Sequence, residues 1–130
     1  MYRRTTRSIE VTVKPMYLED QSEPSSEHYV WAFWVRIENH GRETVHLRAG
    51  HLRTADAIGR FEEMHGEGVV GEQPTLRPGE SFEYTSGKPL TTPSGIMFGT
   101  YEMETEAGEQ FVVEIPAFSL DSPYQERRLH

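Results

Sequence analysis

The sequence predicts an all-β protein, an antiparallel β-sandwich of about seven or more strands. Short segments in which apolar and polar residues alternate recur along the 130 residues, with turn-forming residues about every ten positions. No window long enough for a helix keeps a helical period without an internal proline or glycine. Because parallel strands need long crossover connections, which are usually helical, the strands are expected to be antiparallel.

Length and terminal composition indicate one domain, predicted over residues 9–120. Residues 1–8 contain three arginines but no apolar run after them, so they are interpreted as a flexible arm and not as a secretory signal. Residues 121–130 form a polar C-terminal tail.

Charge and cysteine content exclude several classes of function. The 13 basic and 21 acidic residues give a net charge of −8, whereas nucleic acids and anionic membranes require clustered positive charge. Cysteine is absent, so neither a disulfide framework nor a thiolate metal site can form. No apolar run approaches the roughly 20 residues of a membrane span. The sequence therefore predicts a cytoplasmic protein without nucleic-acid or membrane partners.

The first half of the chain contains the clearest strand. A strand over 9–14 is expected to stop at Pro15, with a continuation over 16–18 beyond a bulge as the alternative. A loop at 20–27 leads to the strongest strand, 29–38. Its apolar residues lie on both faces, which predicts a central strand covered on both sides along much of its length. Residues 39–42 form the following turn.

The second half continues the same alternation. Strands are predicted over 45 to about 54, 60–64, 81–85, 97–103 and 111–115, and turns at 55–59, 76–80 and 107–108. Pro78 takes the second position of the tight turn at 76–80. Ser86–Pro89 is expected to break one strand and Pro116 to limit another, because proline cannot donate to a sheet ladder.

A glycine-rich stretch at 65–74 contains a formal G-x-G-x-x-G. A dinucleotide loop would need a helix after it, but two prolines and a glycine follow within 72–79. Val69 and Val70 also favour an extended backbone. The glycines are therefore interpreted as sites of bulges or close backbone approach, with a binding loop of another type as the alternative.

Six histidines raise the question of a metal site: His28, His40, His46, His51, His65 and His130. His46 and His51 are five positions apart, so on a regular strand they are predicted to face opposite sides. His51 and His65 could meet across a hairpin, but no third ligand is evident. The sequence therefore predicts no specific metal site and no cofactor.

Catalytic arrangements are equally scarce. Glu102, Glu104 and Glu106 share one strand face and could attract a hydrated divalent cation weakly, although a solvated face explains them as well. Ser86 and Ser94 lie in predicted turns, not in a nucleophile elbow. The protein is predicted to be non-enzymatic.

Two motifs in the second half occur together in one known family. The first comprises Gly66-Glu67-Gly68-Val69-Val70-Gly71-Glu72-Gln73-Pro74, Leu76, Pro78-Gly79-Glu80, Phe82, Tyr84 and Ser86-Gly87. The second comprises Thr92-Pro93, Gly95, Met97, Gly99-Thr100-Tyr101-Glu102-Met103, Gly108, Phe111, Ile115-Pro116 and Phe118. Together they resemble the signature of the bacterial ApaG family, from about residue 9 to the C-terminus.

This resemblance implies an immunoglobulin- or fibronectin type III-like sandwich. The family is linked to cobalt tolerance and magnesium efflux without an agreed biochemical activity. Similar domains in eukaryotic F-box and polymerase-associated proteins imply a protein-binding module. The chain departs from the family where Gly50, Leu52 and 55–59 replace an arginine, a tryptophan and a Thr-Asp-x-Asn-Gly turn.

Two functions stay open for the glycine-rich stretch. In the first, the candidate site residues Gly66, Glu67, Gly68, Val69, Val70 and Gly71 contact an unidentified protein partner. In the second, backbone amides of the same loop bind a nucleotide or pyrophosphate. Arg60, Arg77 and Lys88 are the nearby basic residues that could assist the second function.

Overall fold

The computed structural model describes residues 1–124, and these residues form two antiparallel β-sheets packed face to face. The strands are β1 (Tyr2–Thr6), β2 (Ile9–Tyr17), β3 (Tyr29–Asn39), β4 (Val45–Asp56), β5 (Phe61–Glu67), β6 (Thr75–Leu76), β7 (Ser81–Leu90), β8 (Gly95–Thr105) and β9 (Gln110–Leu120). One sheet has the order β1-β2-β3-β7 and the other β5-β4-β8-β9, with β6 also paired to β4. The all-β sandwich is confirmed. Among the described residues, no helix is long and apolar enough to cross a membrane.

The alternation of apolar residues builds the core from one face of the long inner strands. In β3, Trp31, Phe33 and Val35 are almost fully buried, whereas Val30, Ala32 and Trp34 on the other face are only half-buried. The prediction that β3 is covered on both sides is therefore wrong. Its position is nevertheless central, because it lies between β2 and β7.

The N-terminal residues are a structural strand, so the prediction of a flexible arm is wrong for Tyr2–Thr6. β1 pairs with β2 along its whole length. Tyr2 packs against Phe118 with ring centroids 6.2 Å apart, and the Glu114 amide donates to the Thr6 hydroxyl at 3.2 Å. β1 thus closes the sandwich on the side of β9. The predicted tail from 121 is described only to 124, and 125–130 lie outside the described residues.

Three prolines that were expected to end or limit strands lie inside them. β2 continues through Pro15, β7 through Pro89 and β9 through Pro116. The alternation of an antiparallel ladder directs Pro15 and Pro89 away from β3, so no bond to that neighbour is lost. Pro116 lies in a bulge where the β8–β9 register shifts. Proline is tolerated at such edge and bulge positions.

A buried asparagine beside the core connects two turns through hydrogen bonds. Asn39 is 1% exposed, and its side-chain amide donates to the carbonyls of Glu43 at 2.8 Å and Leu76 at 3.0 Å. Its side-chain oxygen accepts from the Gly41 amide. Gly79, at φ +86°, completes the predicted tight turn and donates to the Asn39 carbonyl.

Replacing Asn39 with alanine should strongly destabilise the protein, because three backbone groups lose their partner. We expect the free energy of unfolding to fall by about 3 kcal/mol, since each unsatisfied buried group costs roughly 1–3 kcal/mol. Urea denaturation measures it. Glu43→Ala is the control, because it keeps the accepting carbonyl and removes only an exposed side chain. Equal losses for the two variants would contradict this role of Asn39.

Candidate functional site

A β-bulge in β4 determines what faces the core beneath the glycine-rich stretch. Leu47 pairs with Met103 and Gly50 with Tyr101, so β4 has one residue more than β8 between these pairs. The extra residue turns Gly50 inward against Tyr101. It also places His46 and His51 on the same outer face. The prediction that these histidines face opposite sides is wrong, because it assumed a regular strand.

The bulge leaves the Arg48 carbonyl free to hold the glycine-rich stretch. This oxygen accepts from the Gly68 amide at 2.8 Å and from the Gln73 side-chain amide at 2.9 Å. Gly68 has φ +73°, and a Cβ atom there would lie 2.0 Å from the Glu72 carbonyl oxygen. The close backbone approach predicted for these glycines therefore occurs at Gly68, and the next elements after the motif are the strands β6 and β7.

The tip of the stretch is a tight turn with a strained residue. Val69 and Glu72 exchange two backbone hydrogen bonds of 2.8 Å, and both residues between them are left-handed, Val70 at φ 45° and Gly71 at φ 80°. This turn normally carries asparagine or aspartate before glycine. A β-branched residue is unusual there, and Val70 is also 58% exposed. Strain of this kind at an exposed apolar residue is typical of a functional surface.

A cavity of about 240 Å³ lies beneath this turn, between the edge strands β5 and β7. Tyr84 and Tyr101 form its floor, with their hydroxyl oxygens 2.5 Å apart. Leu52, Met64 and Val69 supply apolar walls. All six candidate site residues line it: Gly66, Glu67, Gly68, Val69, Val70 and Gly71.

The two tyrosines are neutral hydrogen-bonding groups. Burial raises the pKa of Tyr84 to about 12, against a smaller lowering effect of its bond to Tyr101. Burial, assisted by the neighbouring Tyr84, raises the pKa of Tyr101 well above its ordinary value. The hydrogen bond between the two hydroxyl groups uses only one of their two protons, so the other O–H group can donate to a ligand. At neutral pH the floor can orient a ligand but supplies no base.

The basic residues expected to assist anion binding are engaged elsewhere or lie outside the cavity. The Lys88 ammonium, almost fully buried, bonds Glu62 at 2.5 Å. Arg60 bonds Asp56 at 2.9 Å, and Arg77 does not line the cavity. The amides of Gly68, Val69 and Glu72 already donate to backbone carbonyls. The surroundings therefore do not favour a phosphate.

The histidines and carboxylates form surface networks. His51 and His65 meet across β4 and β5, with ring centroids 5.4 Å apart. Among residues 1–124, one set of three possible metal ligands lies within 4.8 Å of one another: Glu10, Glu38 and His40. The sequence did not reveal this set, because the two glutamates meet only through the β2–β3 register. Glu38 also binds Arg36 at 2.6 Å, so a charge network accounts for the cluster.

The three glutamates predicted to share one strand face are partly neutralised, and Glu106 lies just beyond the end of β8. Arg48 holds Glu104 at 3.1 Å, and this hydrogen bond lowers the pKa of the Glu104 carboxyl. His46 lies 3.3 Å from Glu106. Glu102 is exposed. These contacts are those expected of a solvated sheet face.

Two of the departures from the family pattern lie at the cavity, whereas residues 55–59 do not line it. Gly50 and Leu52, which stand where the resemblance leads one to expect arginine and tryptophan, both line it. Side chains of that size would occupy part of this space.

Comparison with known proteins identifies relatives over the full chain. The sequence model of the ApaG domain matches residues 19–105. The proteins named Protein ApaG from Parvibaculum lavamentivorans and Paramagnetospirillum magneticum are 65% and 63% identical over 130 residues, with 100% of both chains covered. The crystal structure of an ApaA protein from Bordetella pertussis superimposes with a TM-score of 0.87 at 46% identity, covering 90% of this chain and 95% of that one.

Gly68→Ala should unfold the stretch, because the new Cβ would lie 2.0 Å from a backbone oxygen and the residue holds a positive φ. We expect a loss of about 3 kcal/mol or more in the free energy of unfolding. Gly66→Ala is the control, since its Cβ would meet no atom within 4 Å, and it should change stability by less than about 0.5 kcal/mol. Thermal denaturation of both variants measures the difference. A fully stable Gly68→Ala would contradict the packing described.

Val70→Asn should stabilise the protein, because asparagine accepts the left-handed backbone that valine resists. We expect a gain of about 1 kcal/mol in the free energy of unfolding, measured by urea denaturation. Val112→Asn is the matched control: Val112 is 50% exposed but lies in the regular part of β9, where asparagine should be neutral or unfavourable. A loss of stability in Val70→Asn would remove the evidence for strain.

Proposed function

The chain belongs to the ApaG family, and we propose that it is a non-enzymatic protein–protein interaction module that pairs an extended segment of a partner protein with β5. The side chains of that segment enter the cavity beneath the glycine-rich stretch. In this proposal the protein acts in the cytoplasm. The family link to cobalt tolerance and magnesium efflux then arises through the partner, not through a metal bound by this chain.

The free edge of β5 is the observation that carries the proposal. All seven residues of β5 are exposed, and among the described strands only β4 pairs with it. The Asp56 amide donates to the Arg60 carbonyl at 3.0 Å. This bond determines which residues of β5 direct their backbone N–H and C=O groups toward β4 and which direct them away. Phe61, Glu63 and His65 therefore direct their backbone groups away from β4. An unpaired row of this kind is a template for another strand.

The two sides of the sandwich differ in a way that supports this location. On the side of β9, the first strand already bridges the sheets. On the side of β5 and β7, the Lys88–Glu62 bond links the strand edges and the 240 Å³ cavity lies beside it. A strand added to β5 would direct every second side chain toward this gap. Backbone pairing and a side-chain pocket together provide affinity and specificity.

The alternative, a nucleotide or pyrophosphate site, has less support. Pockets for such ligands usually have volumes of about 300–1,000 Å³ and provide charged partners. This cavity has about 240 Å³, its walls are mostly apolar, and its described lining contains His65 but neither lysine nor arginine. A single side chain fits these dimensions better than a nucleotide.

Photocrosslinking at β5 tests the proposal. A photoreactive p-benzoylphenylalanine replacing Phe61, which is 52% exposed on β5, should form discrete protein adducts in a bacterial lysate. The same residue replacing Val112, which is 50% exposed on β9, is the matched control and should not form them. The same adducts from both positions would contradict a specific edge.

Two variants of His65 separate backbone pairing from side-chain contact. His65→Pro removes an amide that points away from β4, so β4–β5 pairing should survive while the crosslinked adducts disappear. His65→Ala removes the same side chain but keeps the amide, so the adducts should persist. Amide-exchange or circular-dichroism spectra confirm that both variants are folded. Adducts that survive in folded His65→Pro would refute strand addition.

A further inference from the structure

Charge along the β5 edge indicates what kind of segment pairs with it, an inference that rests on the proposed function. The strand and the turn after it carry Glu62, Glu63, Glu67 and Glu72, all exposed. Lys88 neutralises Glu62, and Arg53 lies 3.8 Å from Glu63. Among residues 1–124, no ion pair involves Glu67 or Glu72. The edge therefore carries excess negative charge beside the cavity.

We propose that β5 selects an extended peptide in which basic residues flank one large apolar anchor residue. The anchor enters the cavity, and the basic residues lie over the glutamates of β5.

The alternation of β5 determines where each side chain of the peptide lies. Glu62, Met64 and Gly66 face the gap toward β7, whereas Glu63 faces the outer side, where it lies near Arg53. Glu67, the last residue of β5, borders the cavity. A residue paired with Gly66 lies beside the cavity, and Gly66 leaves space there because no atom lies within 4 Å of where its Cβ would be.

The pairing with β5 then gives the spacing of the basic residues. If the anchor is opposite Gly66, one immediate neighbour is opposite Glu67, and the residue three positions away on the other side is opposite Glu63. Opposite charges directly across two strands stabilise their pairing.

The lining of the cavity indicates the nature of the anchor. Leu52, Met64 and Val69 are apolar, and Met64 and Val70 at the mouth are 55% and 58% exposed. At about 240 Å³, the space suits one aromatic or large aliphatic side chain. The free O–H group of the Tyr84–Tyr101 pair can also donate to a hydroxyl or carbonyl at the tip of the anchor.

The same charges disfavour a second copy of this chain as the occupant. Antiparallel pairing of two β5 strands would place glutamates near one another, and like charges across a sheet are destabilising. Two molecules that each carry a net charge of −8 also repel at long range. A basic segment is attracted by both effects.

Selection from a displayed library of random 12-residue peptides tests the inference with the intact protein. The wild type should enrich peptides with lysine or arginine beside a large apolar residue. A selected peptide should bind Glu67→Lys about tenfold more weakly at low salt, because an attractive charge pair becomes repulsive. Glu102→Lys makes the same charge change on β8, two strands away, and should bind within about twofold of the wild type.

The other outcomes separate this inference from the proposed function. Enriched peptides without basic residues, whose binding is lost in His65→Pro, would overturn the charge specificity and leave strand addition standing. Basic peptides that bind Glu67→Lys and Glu102→Lys equally would also overturn it. If no enriched peptide depends on the amide of residue 65 for binding, both the charge specificity and strand addition at β5 are overturned.

Discussion

The carbonyl of Arg48 is the point on which the arrangement of the site depends. One extra residue in β4 removes this oxygen from the β8 ladder, and a backbone amide and a side-chain amide from the glycine-rich stretch then bond to it. The stretch can approach so closely only because Gly68 has no side chain. The bulge also turns Gly50 toward Tyr101, which leaves space beneath the turn. One irregularity therefore anchors the loop and opens the cavity.

The two open sides of the sandwich differ in how they are covered. On one side the first strand covers the junction of the sheets, so the core is sealed by Tyr2 against Phe118. On the other side β5 and β7 remain apart, joined by Lys88 and Glu62. An exposed edge strand would promote aggregation if it were apolar and uncharged. In the proposed mode of binding, the glutamates of β5 disfavour pairing between copies and attract a partner of opposite charge.

The chemistry of the cavity suits binding better than catalysis. Its buried polar groups are two tyrosines whose raised pKa values keep both hydroxyls protonated at neutral pH. Acid–base catalysis works best with groups whose pKa lies near the working pH, and neither tyrosine meets this condition. The strained Val70 at the mouth fits the same conclusion, because an exposed apolar side chain in an unfavourable conformation contributes little to folding.

The sequence by itself determined the fold class, most of the strand cores and the turn chemistry. The alternation of apolar and polar residues determines which side chains face inward. Pro78-Gly79 and Ala107-Gly108 specify their turns locally. The tertiary structure decided the features that the alternation of apolar and polar residues does not predict. The bulge at Arg48 brings His46 and His51 to the same face without a local sequence signal. The basic N-terminal segment forms a strand because it pairs with the edge of β2. Only the stacking of the sheets brings Gly50, Tyr84 and Tyr101 beneath residues 66–71, because these groups are distant in sequence and meet through packing.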